Sequence, residues 1–145
     1  MAGRRHSVFK KILVGFDGSE QSKKAAQTAI GLARCLDAQV LLLAVARPSE
    51  PATSVELEAM LDDAREHFEQ AFIAVKDAAK NSEVELHTNI AVGHPAEQII
   101  RRGEQDKVDL IVLGRRGTST FQKWILGSVS ERVLRYAHCP VMVLR

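Results

Sequence analysis

KILVGFDGSE, residues Lys11–Glu20, decides how the rest of the chain is read. The run from Lys11 to Phe16 is apolar and β-branched, and it breaks at Asp17-Gly18-Ser19, so it reads as a buried strand ending in a turn. Ser19 is placed to cap a helix. Ala25, Ala26, Ala29, Ile30, Ala33 and Leu36 then fall at helical spacing on one face, which is expected to pack on a sheet. VLLLAVA, Val40 to Ala46, is a second unbroken apolar run, as for a strand covered on both faces. The two prolines of ARPSEPATS end that run in a loop.

Outward from this unit the pattern repeats. From Thr53 to about Lys80 the apolar positions Leu57, Leu61, Ala64, Phe68, Ala71, Phe72 and Val75 step by three and four, giving a long amphipathic helix. Thr53 with Glu56 fits a capping box. Val84, Leu86, Thr88, Ile90 and Val92 alternate with more polar residues, which predicts the least buried strand, near a sheet edge. Gly93-His94-Pro95 punctuates, and Pro95 suits the first turn of a short helix carrying Ala96, Ile99 and Ile100. DLIVLG, Asp109 to Gly114, reads as another buried strand, Ser130 to Ala137 as a helix, and Pro140 to Leu144 as the last strand. Strands alternating with helices imply a single-domain α/β fold, a doubly wound and mostly parallel sheet with helices on both faces and right-handed crossovers. Ligands of such sheets sit beyond the carboxyl ends of the strands, where strand order reverses. The first strand ends at Gly15-Phe16-Asp17-Gly18 and the fourth at Gly114, so the crevice is expected between those two ends.

Composition narrows the function. The 145 residues suit one domain, and 46% apolar with 26% charged residues is ordinary for a globular chain. Twenty basic against 18 acidic side chains leave a formal charge of +2, too balanced for nucleic acid or an anionic membrane to be the main partner. No apolar run approaches the ~18 residues of a membrane span. The start, MAGRRHSVFKK, lacks a signal-peptide core, so cytoplasm is the expected compartment, with residues 1–9 a flexible basic tail. Cys35 and Cys139 have no metal-ligand spacing and read as reduced, structural thiols.

Residues 114–130, GRRGTSTFQKWILGSVS, carry the chemistry. Gly114 and Gly117 stand where a buried strand gives way to a loop, and glycine there permits close approach of backbone N–H groups to a ligand. Gly127-Ser128 opens a helix whose first N–H groups lack internal partners, so Gly127, Ser128, Val129 and Ser130 form an anion site. One such terminus contributes only about 0.3–1 kcal/mol, whereas micromolar binding needs about 8 kcal/mol. Several donors and a buried base are therefore required, which favours a nucleotide over free phosphate. The segment is neither a P-loop, since no Gly-Lys-Ser/Thr closes it, nor GxGxxG.

The spacing G-x2-G-x9-G-[ST], met in full at Gly114, Gly117 and Gly127-Ser128, resembles the ATP-binding branch of the universal stress protein family. The likeness extends to KKILVGFDGSE, to GHPAEQII, to DLIVLG and to HCPVMVL, nearly the whole chain. The resemblance implies one universal stress protein domain over residues 1–145. It implies a Rossmann-like sheet of order 3-2-1-4-5, of the adenine nucleotide alpha hydrolase type, and a homodimer binding ATP, with Mg2+ able to enter alongside. By position Asp17 looks like the acidic residue that meets the adenosine, with Gly15 and Phe16 lining the base, Phe16 through its backbone. Val45 is expected on the adenine, and Gly114, Gly117, Gly127, Ser128, Val129 and Ser130 on the ribose and phosphates.

Blander roles compete at several of these positions. Asp17 suits a turn before the first helix, and Ser128 a helix cap. Arg115, Arg116 and Lys123 read as solvated loop charges and His94 as a turn or cap residue. Trp124, Ile125 and Leu126 read as packing residues. The last strand, Val141 to Leu144, is apolar on both faces at the sheet edge and invites pairing with a second copy. The expected function is a nucleotide-dependent stress-response regulator, with a slow ATPase or phosphotransferase and a nucleotide-free interaction module as alternatives. No catalytic residue and no metal site is assigned.

Overall fold

The computed structural model describes residues 8–48, 52–115 and 127–145. The elements in chain order are β1 (Lys11–Phe16), α1 (Glu20–Leu36), β2 (Gln39–Ala46), α2 (Ser54–Asn81), β3 (Leu86–Val92), α3 (Pro95–Gln105), β4 (Leu110–Gly114), α4 (Ser128–Tyr136) and β5 (Val141–Leu144). The five strands form one sheet in the order β3-β2-β1-β4-β5, and every neighbouring pair is parallel. This is the predicted doubly wound α/β architecture.

Strand alternation divides the core in two. Ile12, Val14 and Phe16 of β1, Val40, Leu42 and Ala44 of β2, and Leu110 and Val112 of β4 face α1 and α2. Leu13, Leu43, Ile111 and Leu113 face the other way, against Ala96 and Ile99 of α3 and Val133 of α4. Helix α1 fully buries only small residues and Ile30, Ala25, Ala26, Ala29 and Ala33 among them, with Leu32 and Leu36 packed half-buried beside them. Its amino terminus is capped as predicted, the Ser22 N–H donating to Ser19 Oγ at 3.2 Å.

Helix α2 begins at the capping box read from the sequence. Thr53 Oγ1 accepts from the Glu56 N–H, and Glu56 Oε2 accepts from the Thr53 N–H at 2.7 Å. The Thr53 backbone N–H, and then its hydroxyl, hold the Glu56 carboxyl below its usual range. The long amphipathic helix is present, and its apolar stripe runs on past the core: Leu57 is exposed, Leu61 half-buried, and full burial starts at Ala64. Phe72 is 2% exposed and its ring meets those of Phe16 and Phe68 at centroid separations of 5.6 and 6.2 Å.

Edge strands β3 and β5 contain no fully buried residue, so β3 shares the wetter position with β5. The cysteines are both free thiols. Cys35 is exposed at the end of α1, so the structural role predicted for it is absent, whereas Cys139 is half-buried. Burial first, and Asp109 second, push the Cys139 thiol above its ordinary range. The expected tail lies largely outside the described residues, and Val8 at its end is exposed. Among the described residues no helix is long and apolar enough to cross a membrane.

The glycines at the two central strand ends differ. A Cβ on Gly114 would run into the backbone carbonyl of Gln21 in α1, so this glycine lets α1 dock against β4. Its predicted role in ligand approach is therefore joined by a packing role. A Cβ on Gly15 would meet only the tips of Leu113 and Ile99, at 2.7 and 2.9 Å. We expect Gly114→Ala to lower the free energy of unfolding by about 1–3 kcal/mol more than Gly15→Ala, since backbone yields less than a side-chain tip. Urea titration of the two variants measures the difference. The same titration should show Phe72→Ala losing about 3–5 kcal/mol through its cavity. Its neighbour Ile73, 53% exposed, should stay within about 0.5 kcal/mol on truncation.

Candidate functional site

Parallel strands joined through helices bring every strand's carboxyl end, and every following helix's amino end, to one edge of the sheet. At that edge β1 stops at Phe16 and the chain turns. Asp17 Oδ1 accepts from the Ser19 N–H at 2.9 Å, closing an Asx turn around Gly18, whose φ of +83° suits glycine. The Ser22 hydroxyl donates to the Ser19 carbonyl at 2.9 Å and tightens the same corner. The blander role foreseen for Asp17 is thus realised, while its carboxylate also lines the cavity beside it.

At the end of β4 the Arg115 N–H donates to the Leu144 carbonyl at 2.6 Å, carrying the ladder to β5 one step past Gly114. Helix α4 starts at Gly127, whose φ of −59° and ψ of 151° make it the N-cap without a side-chain cap. The first bond of the helix runs from the Glu131 N–H to the Gly127 carbonyl at 2.9 Å, so the N–H groups of Ser128, Val129 and Ser130 precede it. The helix begins at Ser128, as read from Gly127-Ser128 and two residues before the start of its apolar pattern at Ser130. Ser130 is buried, 4% exposed.

Between these ends lies a cavity of about 250 Å3, close to the lower end of small-molecule sites at about 300 Å3. Gly15, Phe16, Asp17, Val45, Gly114, Gly127, Ser128, Val129 and Ser130 all line it. Every residue expected to hold the nucleotide, except Gly117, therefore lines this one cavity. Gly117 lies outside the described residues, as do Arg116, Lys123, Trp124, Ile125 and Leu126. Phe16 contributes backbone, since its ring is turned to the opposite face of the sheet against Phe72. Gly15 contributes room, because any side chain there would project towards Ile99 and Leu113 across the floor.

The lining also includes residues that the sequence reading passed over: Ser19, Ser22, Leu43, Arg47, Pro95, Ile99 and Leu113. A signal existed for some. Leu43 and Arg47 stand two positions either side of Val45, on the same face of β2 by alternation. Pro95 opens a helix whose amino end must reach this edge. Ile99 is set by tertiary packing and carries no local mark, whereas Ser22 is held by the turn itself.

Floor and rim differ in chemistry. Leu43, Val45, Ile99 and Leu113 make an apolar floor suited to a flat heterocycle. The rim holds the amino ends of three helices, at Ser19 for α1, Pro95 for α3 and Gly127 for α4, each with a partial positive charge. Helices α3 and α4 have no side-chain cap, and His94, the N-cap of α3, leaves its buried Nδ1 without a hydrogen bond. Its foreseen turn position holds, but not a capping bond. Such a rim suits an anion, and the pair of surfaces fits an adenine nucleotide. Among the described residues no group of three or more His, Cys, Asp or Glu is arranged to hold a metal.

A groove of similar size, about 270 Å3, opens at the amino end of the sheet. Its two cations are already engaged by one residue, Arg102 Nε donating to Asp106 Oδ2 at 2.7 Å and Lys11 Nζ to the Asp106 carbonyl at 3.3 Å. It has neither the strand-order reversal nor the helix amino ends of the first cavity, which is the better candidate.

Known proteins agree with this geometry. The family model for the universal stress protein family matches residues 9–145. Universal stress protein MJ0531 of Methanocaldococcus jannaschii is 37% identical over 143 residues, covering 96% of this chain and 84% of its own. Universal stress protein YxiE of Bacillus subtilis is 33% identical, covering 95% of this chain and all of its own. A universal stress protein solved in complex with cAMP superposes with a TM-score of 0.76 at 25% identity, covering 96% of this chain and 99% of its own. Fold, motif and relatives lead to one assignment: the chain belongs to the universal stress protein family.

Proposed function

We propose that this chain is an ATP-binding regulator of the stress response, acting in the cytoplasm as a homodimer whose loaded and empty states differ in stability or partner affinity. The observation that carries the reading is the convergence of the predicted residues on one cavity with an apolar floor and three helix amino ends at its rim. The related protein solved with cAMP holds an adenine nucleotide within the same overall fold, which supports the base assignment. Val45 and the backbone of Gly15 and Phe16 take the adenine, and Asp17 meets the adenosine. Gly114, Gly117, Gly127, Ser128, Val129 and Ser130 hold ribose and phosphates, with Mg2+ entering on the triphosphate. Bound ATP supplies negative charge where backbone donors already point. The chain's own part is to bind and orient it.

Thermal unfolding with added nucleotide tests this. At 100 times its dissociation constant ATP should stabilise the fold by about 2.7 kcal/mol, a rise in Tm of about 5–10 °C. No shift, together with no nucleotide in the denatured purified protein by mass spectrometry, would sink the reading. A larger shift with cAMP than with ATP would replace the triphosphate by a cyclic monophosphate. Two variants separate fold from site. Asp17→Asn keeps an acceptor for the Ser19 N–H while removing the charge, so Tm should hold and ATP affinity should fall by about tenfold. Gly127→Asp installs a favourable N-cap where phosphate is expected, so the empty protein should be as stable as the parent while ATP binding is lost.

The dimer reading rests on β5. It is an edge strand with all four residues only partly covered, and α4 leaves Leu134 and Tyr136 exposed, at 45% and 60%. Pairing of Val141–Leu144 with its symmetry mate covers that edge. Light scattering should give twice the 16.0 kDa chain mass for the parent and a monomer for Val143→Glu, which sets like charges facing across the two-fold. A dimeric Val143→Glu protein would move the interface elsewhere.

A further inference from the structure

Helix α2 is longer than the sheet it covers. Its 28 residues span about 42 Å, against about 26 Å for the eight residues of β2. The surplus is at the amino end, where Ser54 to Asp63 contribute no buried residue. The apolar stripe nevertheless continues. Leu57 and Leu61 lie in line with Ala64, Phe68, Phe72 and Val75 at spacings of three and four, with Met60 beside them; Leu57 is 37% exposed, and Met60 and Leu61 are half-buried. The capping box at Thr53 and Glu56 keeps this projecting turn helical.

Charge flanks the stripe. Within Ser54–Glu66 five carboxylates, Glu56, Glu58, Asp62, Asp63 and Glu66, stand against one guanidinium, Arg65, which pairs with Asp62 at 3.7 Å. Helical spacing puts Glu58 and Asp62 on one side of the stripe, Glu56 and Asp63 on the other. A second copy of this arm brings the same sign, and so does an anionic membrane or a nucleic acid. The complement is a helix with an apolar face and basic flanks.

We propose that the projecting arm of α2, Ser54 to Glu66, is a docking face for a basic amphipathic helix of a partner protein. The partner's apolar side lies on Leu57, Met60 and Leu61, and its Lys and Arg residues meet the acidic flanks. The arm rises from the same edge of the sheet as the cavity, because α2 runs back antiparallel to the strands.

The test uses the full chain and a fluorescent helix of about 18 residues, built from Leu and Lys at amphipathic spacing. Anisotropy titration should give binding that weakens at least about tenfold in Leu57→Ser/Met60→Ser/Leu61→Ser and in Glu58→Lys/Asp63→Lys, and that weakens as salt is raised. Ile73→Ser, on the outer face of the same helix, should bind as the parent does. Thermal unfolding should be unchanged in all three variants, since none removes a core residue; the charge variant keeps the test open if the triple one misfolds. Absence of binding to the parent, equal binding by the triple variant, or equal binding of a Leu/Glu helix overturns the proposal. Loss of the dimer in the triple variant also overturns it, by assigning the face to a second copy.

Discussion

Ile12, Leu13 and Val14 are fully buried, with hydrogen-bonded strands on both sides of β1 and helices above and below. A strand in that position leaves the chain few options. Its neighbours are parallel, so each connection must cross back over the sheet, and the crossing segments are helices laid antiparallel to the strands. The amino ends of α1, α3 and α4 then reach the same edge without any residue being selected for that purpose. Each terminus is worth only about 0.3–1 kcal/mol to an anion, so the three together fall short of micromolar affinity. The remainder has to come from the apolar floor and from donors packed against it. That requirement makes Val45 and Gly15 as consequential as the glycines at the rim.

The cavity opens between β1 and β4 because the chain changes direction there. Strands β2 and β3 are added on one side of β1, and β4 and β5 on the other, so the segments leaving β1 and β4 go to opposite faces. Two glycines serve this junction in different ways. Gly15 omits a side chain that would cover the floor, whereas Gly114 omits one that would hold α1 away from the sheet. Both line the cavity, but only the second also sets how a helix docks. A glycine motif read as a phosphate cradle therefore includes a packing residue, and loss of Gly114 would perturb fold and site together.

Much of this was legible because it is local. KILVGF and VLLLAVA are unbroken apolar runs, Ser19 and Thr53 carry their caps in the next three residues, and Pro95 fits only a first helical turn. That these residues lie together at one cavity was legible through their motif and through the rule that ligands of such sheets sit at strand ends. What escaped was set by distant packing. Where the Phe16 ring goes is set by α2, which supplies Phe72 and Phe68 on the other face. Leu57 and Leu61 have the periodicity of core residues, and nothing local reports that the sheet stops short of them. Ser22 enters the cavity only because the turn at Asp17 folds its hydroxyl back.

The two ends of this account meet at Gly18. The turn that positions Asp17 at the cavity sits against α2, where a Cβ on Gly18 would lie 4.0 Å from that of Ala71. A ligand that merely filled the cavity would leave α2 as it was, whatever its affinity, since equal binding to two states shifts neither. A ligand that drew on the Asp17 carboxylate would act on the turn that this carboxylate closes. Any such coupling is reciprocal, each ligand changing the other's affinity by the same factor. Phe16 joins the cavity to the same helix by a second route, since it lines the cavity while its ring packs on Phe72 of α2.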